Sequence, residues 1–412
     1  MVSRLVKLLF LHWTADEHAG GGAERVVWAQ MRGLRDAGHE CSILGLQSGG
    51  DLERAERNGI EVWKAGIRNV YLPDYEVRRS LPTRLLWHVV DSHNVFMQHS
   101  LAKVVSRVAP DVVSVHSFAG WSGVAWRTLA SIGVPAVQVL HGHEAICPRA
   151  TMFRHGRNCS RQCFDCRVLR LPHRLGSRTL DGVVGVSQYI LRRHENLGYF
   201  RDVPVRRVIH NVLQRNGFSR RQPIRAATEK PLRVGFIGRL DPCKGLEPLI
   251  SAFESLDMAE AELVVAGRGP ADYERKLRSL SRAPSVRFLG RVSAPDFYSS
   301  VDVVVVPSLC NDVLPSVVYE ALVSGRPVIG STLGGIPEMI EHRYNGLLFN
   351  PEVPGDLQAS LRAFLVDEAL QKSLAHGASM SGRNYSDVGS WIQSYVQVYE
   401  AALAASSKAA IR

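Results

Sequence analysis

Short runs of β-branched and apolar residues alternate with segments of helical periodicity along most of the chain. In the first half, five runs each end in a polar or glycine-rich turn: Val6–Trp13, Cys41–Leu46, Asp111–His116, Ala136–His141 and Gly182–Ser187. The second half repeats the scheme with Arg233–Gly238, Glu262–Gly267, Val286–Gly290, Val301–Pro307, Arg326–Ser331 and Gly346–Phe349. Nearly continuous apolar strands that alternate with helices indicate parallel sheets covered on both faces. The pattern therefore predicts an α/β protein with two doubly wound, Rossmann-like domains.

A polar, basic stretch closed by prolines, Arg215–Pro231, separates the two halves and is typical of an interdomain linker. The length of 412 residues also exceeds the ~250–300 residues at which single cores stop growing. We predict an N-terminal domain over 1–220, a C-terminal domain over 221–384, and a final helix over 385–412 that packs back on the domains. Ligands bind at the carboxyl ends of parallel strands, so two such domains facing each other would share one cleft.

Positive charge is concentrated in the first half of the chain. Residues 1–225 carry 32 Lys and Arg against 18 Asp and Glu, whereas the whole chain has a net charge of +11. Such a region attracts anionic lipid headgroups, acidic glycans, diphosphates or nucleic acid, unless it is simply a solvated basic surface. Because no zinc-finger, RRM or helix-turn-helix signature accompanies the charge, we expect no nucleic-acid partner.

The sequence also bears on where the protein works. No apolar run approaches the ~20 residues of a membrane-spanning helix, and the N-terminal run fits a buried strand better than a signal segment. Seven cysteines, an odd number without secretory context, favour a reducing compartment. We expect a cytoplasmic protein and leave open a peripheral position at the inner face of an anionic membrane.

The stretch Cys310–Ser331 places two carboxylates around a predicted helix start. Pro315 suits the first helical position, where an N–H group would have no partner. Asp312 then lies in the preceding loop and Glu320 in the second turn of the helix. Free N–H groups at such a helix start bind anions readily. Carboxylates on either side of an anion site can hold hydroxyl groups on both sides of a phosphate, as in a sugar nucleotide.

Two further motifs follow predicted strands. In GRLDPCKG, Arg239 and Lys244 present two cations suited to a diphosphate, although an exposed loop with ordinary surface charges is the alternative. After the first strand, Gly20, Gly21 and Gly22 precede a helix and would let the backbone approach a phosphate or sugar closely. This turn is not a GxGxxG sequence, so it argues against a standard dinucleotide site, and it can equally be only a turn.

Four cysteines lie close together in the sequence: Cys147, Cys159, Cys163 and Cys166. The last two have the two-residue spacing found in zinc sites, and His155 is nearby. The sequence leaves open whether these cysteines bind a structural zinc ion or are reduced thiols in a mobile basic loop.

Together, the Gly20–Gly22 turn, the RLDPCKG loop and the DVLPSVVYEALVSGRPVIGS segment resemble the motifs of the large family 4 of retaining glycosyltransferases, which have the GT-B fold. The resemblance covers nearly the whole chain. It is most specific at Cys310–Ser331 and continues through Gly334–Ile340 and Asn345–Phe349. The family motif usually has glutamate at both ends of a seven-residue interval. Here the first position is Asp312, whose shorter carboxylate changes how sugar hydroxyls would be held.

The resemblance implies roles for individual residues. Arg239 and Lys244 would hold the donor diphosphate and stabilise the leaving group. Glu320 would bind the ribose hydroxyls, and Asp312 would contact the transferred sugar. The phosphates would be capped by the backbone of Leu314, Pro315, Ser316 and Val317.

The resemblance also implies roles in the first half. Gly21 and Gly22 would line the sugar and acceptor side, and His141 would contact the donor sugar. A strand-end histidine bonded to the backbone is the alternative for His141. For His116, at the end of another predicted strand, a structural role is favoured.

The expected mechanism follows from the same resemblance. A retaining glycosidase needs two carboxylates around the anomeric carbon, and no such pair is identifiable in the N-terminal half. Family 4 implies front-face substitution, in which the departing phosphate takes the acceptor proton and the protein supplies positioning and charge stabilisation. Since no Asp-x-Asp sequence appears and Arg with Lys can neutralise the phosphates, we expect metal-independent catalysis without a cofactor.

We therefore expect a glycosyltransferase that moves a hexose-type sugar from a UDP- or GDP-sugar to a glycan or lipid-linked acceptor, with retention, in polysaccharide or glycolipid synthesis. A GT-B epimerase or hydrolase acting on nucleotide sugars and a non-catalytic nucleotide-sugar-binding module remain open. Acceptor specificity is expected in residues 65–100 and 145–180. The sequence specifies neither the sugar, the base, the acceptor, the linkage nor the oligomeric state.

Overall fold

The computed structural model describes residues 5–17, 21–73, 79–213, 230–281 and 283–410. The chain divides into two compact units. Unit 1 comprises Met1–Met152, Cys159–His210 and Gly389–Arg412, and unit 2 comprises Phe153–Asn158 and Asn211–Val388. The predicted linker lies outside the described residues except for its last two positions. None of the helices in the described ranges is long and apolar enough to cross a membrane.

The strands of the described residues are, in chain order, β1 (Lys7–Leu11), β2 (Glu40–Gln47), β3 (Glu53–Arg57), β4 (Ile60–Gly66), β5 (Val112–Val115), β6 (Ala136–Leu140), β7 (Phe153–Arg154), β8 (Arg157–Asn158), β9 (Gly182–Gly185), β10 (Val205–Val208), β11 (Leu232–Ile237), β12 (Ala261–Ala266), β13 (Val286–Gly290), β14 (Val303–Val306), β15 (Val328–Ser331) and β16 (Gly346–Phe349).

The α-helices are α1 (Gly22–Asp36), α2 (Leu81–Ser92), α3 (Gln98–Val108), α4 (Val124–Ile132), α5 (Phe164–Leu169), α6 (Leu171–Gly176), α7 (Gln188–Asn196), α8 (Leu246–Glu254), α9 (Ala271–Leu280), α10 (Ala294–Ser300), α11 (Ser316–Val323), α12 (Asp356–Val366), α13 (Glu368–Ser381) and α14 (Val388–Ala410). Short 3₁₀ turns occur at Val95–Met97, Ser177–Thr179, Pro242–Lys244 and Ile336–Glu338.

Unit 1 contains a sheet with the strand order β10-β9-β6-β5-β1-β2-β4-β3. Its neighbouring strands are parallel except for the antiparallel pair β3 and β4. The order reverses beside β1, which pairs with β2 on one side and β5 on the other. The five predicted strands are confirmed. Strands β3, β4 and β10 were not predicted. Every residue of β3 (ERAER) is exposed and β10 (VRRV) has two arginines, so neither shows the apolar run of a buried strand.

Unit 2 contains a parallel sheet with the order β13-β12-β11-β14-β15-β16, which is the 3-2-1-4-5-6 order of dinucleotide-binding α/β domains. All six predicted strands are confirmed. In β14, Val303 and Val305 belong to one hydrophobic cluster, while Val304 and Val306 belong to another. Alternate residues therefore pack on opposite faces, which explains why this strand is apolar throughout. The two sheets confirm the predicted α/β fold with Rossmann-like units.

Helix α14 is anchored in unit 1 by a buried polar network. The Tyr399 hydroxyl accepts a hydrogen bond from Gln30 Nε2 at 2.8 Å and shares another with Ser114 Oγ at 2.9 Å. Ser114 Oγ also lies 3.0 Å from His116 Nε2. Burial raises the pKa of Tyr399 well above its ordinary value, so the hydroxyl stays protonated. The network ties the last helix to α1 and to the centre of the sheet.

We expect Tyr399→Phe to lower the free energy of unfolding by about 1–3 kcal/mol, because it leaves the buried Gln30 Nε2 group without its hydrogen-bond acceptor. Tyr395→Phe is the matched control. The Tyr395 hydroxyl is buried without a hydrogen-bond partner among the described residues, so its removal is expected to be neutral or slightly stabilising. Urea unfolding of both variants measures the difference. Equal losses of stability would contradict the role given to the network.

Candidate active site

Two predicted site residues meet where the strand order of unit 2 reverses. Lys244 ends the 3₁₀ turn that follows β11, and Asp312 lies in the loop after β14. Lys244 Nζ is 2.6 Å from Asp312 Oδ1 and 2.8 Å from Oδ2. Strands β11 and β14 are neighbours in the sheet, so residues 68 positions apart form one ion pair. Ligands of open α/β sheets bind at this kind of position.

Backbone contacts hold the two loops together. Leu309 N and Cys310 N donate to the carbonyl oxygen of Cys243 at 2.8 and 3.3 Å. Gly245 has a φ of +73°, and a Cβ there would lie 1.9 Å from the carbonyl oxygen of Pro307. Only glycine fits this approach without movement of the backbone. Backbone contacts therefore set the distance between the two loops that carry Lys244 and Asp312.

The ion pair raises the pKa of Lys244. Burial alone would lower the pKa of Lys244, but the charge of Asp312 and its hydrogen bonds outweigh burial, so the pKa is raised. Asp312 also accepts hydrogen bonds from Ser308 Oγ and, at 3.7 Å, from Cys310 Sγ. Lys244 is consequently protonated at neutral pH, and the short carboxylate of Asp312 is engaged by three donors near it.

The main chain of Asp312 is held as firmly as its side chain. Its carbonyl oxygen accepts a hydrogen bond from Gly335 N at 2.7 Å. Gly334 has a φ of +62°, and a Cβ there would lie 2.0 Å from the same oxygen. The glycine pair that begins the segment Gly334–Ile340 thus has a physical reason: it allows this segment to pass directly against the Asp312 backbone.

Helix α11 begins at Ser316, one residue after the predicted start, and Pro315 occupies the N-cap position without a side-chain cap. The backbone groups of Leu314, Pro315, Ser316 and Val317 form the start of this helix, as the sequence predicted. Glu320 lies within the helix, is 7% exposed, and accepts a hydrogen bond from the Tyr298 hydroxyl through Oε2 at 2.8 Å.

Arg239 is not part of the Lys244–Asp312 pair. Its guanidinium lies 3.1 Å from Asp241 Oδ2, and its side chain is 65% exposed. Arg239 therefore follows β11 on the same loop as Lys244 but remains largely in solvent.

A short hairpin of β7 and β8 also contacts the loop after β14 within unit 2. Asn158 Nδ2 donates to Leu309 O at 2.8 Å, and Asn311 N donates to Asn158 Oδ1 at 2.9 Å. One amide side chain thus satisfies two backbone groups directly before Asp312. Asn158 was not predicted, because two-residue strands leave no periodic signal in the sequence.

In unit 1, histidines follow the central strands. His116 Nδ1 lies 2.8 Å from His141 Nε2, and their rings are stacked. Burial, followed by the neighbouring charge of His12, lowers the pKa of His141 to about 3. Burial also lowers the pKa of His116 well below its ordinary value. Both rings are neutral at physiological pH, so His141 can form hydrogen bonds but does not supply a proton as an imidazolium. Its contact with a donor sugar stays a prediction.

The predicted turn Gly20–Gly22 is only partly described, and its two described glycines have different surroundings. Gly20 lies outside the described residues, Gly21 is the N-cap of α1, and Gly22 is its first residue. A Cβ at Gly21 would come 1.8 Å from Glu24 Oε2, whereas a Cβ at Gly22 would meet nothing within 4 Å. Packing among the described residues thus explains glycine at 21 but not at 22.

Unit 1 also has a cavity of about 730 Å³. Both segments in which acceptor specificity is expected contribute to its lining: Tyr71, Arg79, Arg84, Trp87 and Asp91 from one, and Pro148, Arg149, Ala150, Thr151 and Arg170 from the other. Glu144 lines it as well. Burial raises the pKa of Glu144 to about 7, although a hydrogen bond from Ser117 opposes the rise.

A buried ion pair in the cavity wall joins Arg170 Nη1 to Asp91 Oδ2 at 3.1 Å. Neither this pair nor Glu144 was predicted from the sequence. Asp91 and Arg170 are 79 positions apart, and no motif marks either of them. Glu144 lies only three positions after His141, and this proximity to a predicted site residue is the sequence signal that could have identified it.

Two family models of glycosyltransferases match consecutive parts of the chain. Residues 20–213 match the family model "Glycosyltransferase Family 4", and residues 231–367 match "Glycosyl transferases group 1". A Klebsiella pneumoniae protein described as "Uncharacterized 42.6 kDa protein in cps region" is 25% identical over 319 residues, which are 77% of this chain and 83% of that protein.

Solved structures show the same fold. Sucrose-phosphate synthase from Thermosynechococcus elongatus has a TM-score of 0.76 at 16% identity and covers 98% of this chain and 100% of its own. Anabaena HepE, solved with UDP and glucose, has a TM-score of 0.67 at 21% identity and covers 95% of this chain and 98% of its own. The solved structures show the GT-B fold, and the two family matches, which together cover most of the chain, show that it belongs to the group 1 glycosyltransferases of family 4.

Proposed function

We propose that this glycosyltransferase moves a hexose-type sugar from a UDP- or GDP-sugar to a glycan or lipid-linked acceptor, with retention and without a divalent metal. The observation that carries the proposal is the Lys244–Asp312 pair at the strand-order reversal of unit 2, beside the start of α11. A cation next to a helix start is suited to a diphosphate. HepE, which has the same fold, was solved with UDP and glucose, and this supports the same class of donor.

In this proposal, Lys244 and the N–H groups at the start of α11 bind the diphosphate, and Arg239 adds a second cation from solvent. Charge on the leaving phosphate then builds up beside fixed donors, which is how a site stabilises a transition state. Glu320 uses Oε1 for the ribose hydroxyls, since its Oε2 is engaged by Tyr298. The two cations do the neutralising work of a metal, and the departing phosphate takes the acceptor proton.

We assign Asp312 as a positioning residue that acts through Lys244. Its carboxylate is held by Lys244, Ser308 and Cys310. This differs from the direct sugar contact that the family resemblance implies. The assignment accounts for aspartate at this position, because a shorter side chain suffices to reach a lysine on the neighbouring loop.

Lys244→Ala is expected to weaken donor binding about 10- to 100-fold, the effect of losing a charged hydrogen bond. Calorimetry with UDP-glucose, UDP-galactose, GDP-mannose and the free nucleotides measures it. Lys276→Ala is the control, because Lys276 pairs with Glu247 on an exposed face of unit 2 and its loss should leave affinity unchanged. Asp312→Asn should weaken binding, and Asp312→Glu should restore part of it by retaining the charge.

The same calorimetric titration tests whether donor binding needs a divalent metal ion. EDTA should not change donor affinity. Loss of binding that Mg²⁺ or Mn²⁺ restores would contradict the metal-independent part, and no binding of any donor by the wild-type protein would contradict the proposal itself.

The variant Gly22→Ala tests whether Gly22 contacts a ligand or serves only the turn before α1. The new Cβ meets no described atom within 4 Å, and alanine favours a helix over glycine by up to about 1 kcal/mol. We expect an equal or higher melting temperature but slower release of nucleotide from the bound donor in the presence of a lipid-linked glycan extract. Unchanged turnover would mean that Gly22 serves only the turn. Gly21→Ala, which displaces Glu24, should instead lower the melting temperature.

We assign the acceptor to the cavity of unit 1. Its arginines are suited to a phosphate or other anionic group, and the rings of Tyr71 and Trp87 offer apolar faces for sugars. Arg79 stacks over Tyr71, which holds one guanidinium at the rim. The basic half of the chain thus contains a cavity of the right chemistry for a phosphorylated glycan carrier.

Glu144 favours a second candidate function, hydrolysis of the nucleotide sugar. A carboxyl group with a pKa near 7 can act as a general base toward water. Release of nucleotide from the donor without acceptor, lost in Glu144→Gln, would support hydrolysis. A rate that depends on the glycan extract would support transfer.

An exposed apolar face of unit 1 supports work at a membrane. Helix α2 has four apolar side chains that are each 51–78% exposed: Leu81, Leu85, Leu86 and Val89. Helix α5 has two, Phe164 and Val168, which are 84% and 54% exposed. These two helices pack against one another. Apolar side chains near arginines are typical of interfacial helices on anionic lipid. We propose that α2 and α5 dock on the membrane that holds the acceptor.

We expect the protein to sediment with vesicles that contain phosphatidylglycerol, and less so with pure phosphatidylcholine or at high salt. Leu81→Ser with Leu85→Ser should reduce binding at least about tenfold, since two exposed side chains no longer enter the lipid. Val366→Ser is the control, because Val366 is 63% exposed at the end of α12 in unit 2. Equal binding of all three proteins would exclude this face.

A further inference from the structure

Four cysteines from one stretch of sequence come together in unit 1. We call Cys147, Cys159, Cys163 and Cys166 the four-cysteine cluster. Side-chain hydrogen bonds join the thiols of Cys147 and Cys166, and those of Cys159 and Cys163. The sulfur atoms of Cys163 and Cys166 lie within 4.8 Å of each other. The Cys163–Cys166 pair thus connects the two hydrogen-bonded pairs into one run of four neighbouring thiols.

The backbone presents these thiols from two directions. Cys147 N donates to His143 O at 2.8 Å in the turn after β6, and Cys159 N donates to Met152 O at 2.7 Å, which closes the intervening loop. Cys163 is the N-cap of α5, and Cys166 lies inside that helix. The turn before the hairpin and the helix after it therefore converge on the cluster.

Helix α5 needs an anchor that its own length does not provide. It has six residues, and isolated helices shorter than about 12–15 residues are marginal in water. Its Phe164 and Val168 side chains are exposed, so they do not attach it to the core, whereas Cys166 is 5% exposed. Cys166 is therefore the residue by which this helix reaches the core.

We propose that the four-cysteine cluster binds one structural Zn²⁺ ion. Structural zinc is held by four tetrahedral ligands with zinc–sulfur bonds of about 2.3 Å, so binding would draw the four sulfur atoms to about 3.8 Å from one another. Binding releases the thiol protons to solvent and forms four zinc–sulfur bonds, with no oxidation or reduction. The proposal concerns the folding of unit 1 and does not depend on the sugar-transfer reaction.

Charge and neighbouring ligands are consistent with four sulfurs. Four thiolates with Zn²⁺ carry a net charge of −2, and Arg193 donates to the Cys159 carbonyl while Arg149 adds positive charge nearby. The Asp165 carboxylate also lies within 4.8 Å of the Cys163 and Cys166 sulfurs. However, the Asp165 side chain is about half exposed and pairs with Arg149 at 3.6 Å, so we assign it no bond to the metal.

The first experiment is elemental analysis of the full chain, purified without a metal-affinity tag. We expect about one zinc per chain, together with release of that zinc on titration with an organomercurial. Cobalt reconstitution should give the sulfur-to-metal charge-transfer absorption of tetrahedral thiolate sites. These measurements need no variant and therefore do not depend on whether a mutant folds. A wild-type protein without zinc that also gives no cobalt–thiolate absorption would overturn the proposal.

Variants identify the ligands. Cys159→Ser and Cys163→Ser should retain zinc at least about tenfold less well against a chelator, and they should lower the melting temperature. Cys41→Ala is the matched control, because Cys41 is a buried thiol in β2 outside the cluster, and Asp165→Asn should also keep its zinc. Loss of zinc in Asp165→Asn equal to that in Cys163→Ser would overturn the ligand set. A disulfide within the cluster, found by mass spectrometry without reductant, would overturn the proposal.

Discussion

The reversal of strand order in each sheet determines where polar side chains can gather. Helices cover both faces of these parallel strands, so the strands themselves must be apolar, as the four valines of β14 show. Only the loops beyond the carboxyl ends leave room for charge, and the loops diverge most where the order reverses. In unit 2 this point lies between β11 and β14, whose loops carry Lys244 and Asp312. In unit 1 it lies between β1 and β5, which are followed by His12 and His116.

The two units use this constraint in opposite ways. In unit 2 a full positive and a full negative charge are paired, which offsets part of the cost of removing each from water. In unit 1 the buried rings are uncharged, because burial lowers the pKa of His116 and His141. In the function proposed above, the lysine of this pair binds the donor diphosphate. Unit 1 offers neutral hydrogen-bonding groups and, apart from them, the arginine-lined cavity.

The strands with apolar runs in both sheets and the motifs around Lys244 and Asp312 were predictable because each is a local pattern, whereas β3, β4 and β10 were not predicted. Apolar runs mark buried strands, and the motif around Pro315 marks a helix start. Glu144 and the Asp91–Arg170 pair were not predictable in this way. Their role comes from contacts between distant segments, and the raised pKa of Glu144 comes from burial, which a single sequence does not report. Asn158 was missed for the same reason, since its importance lies in two backbone groups of another loop.

The aspartate at position 312 and the glycines around it are parts of one arrangement. Aspartate is one methylene shorter than the glutamate usual in this family, so it reaches Lys244 only if the loops after β11 and β14 lie close together. Gly245 permits that approach on one side, and Gly334 lets the next segment lie against the Asp312 carbonyl on the other. A larger residue at either glycine would separate the loops, and the lysine would then lose the carboxylate that raises its pKa in a partly buried position. The choice of aspartate at position 312 and the close approach of the loops after β11 and β14 therefore depend on each other.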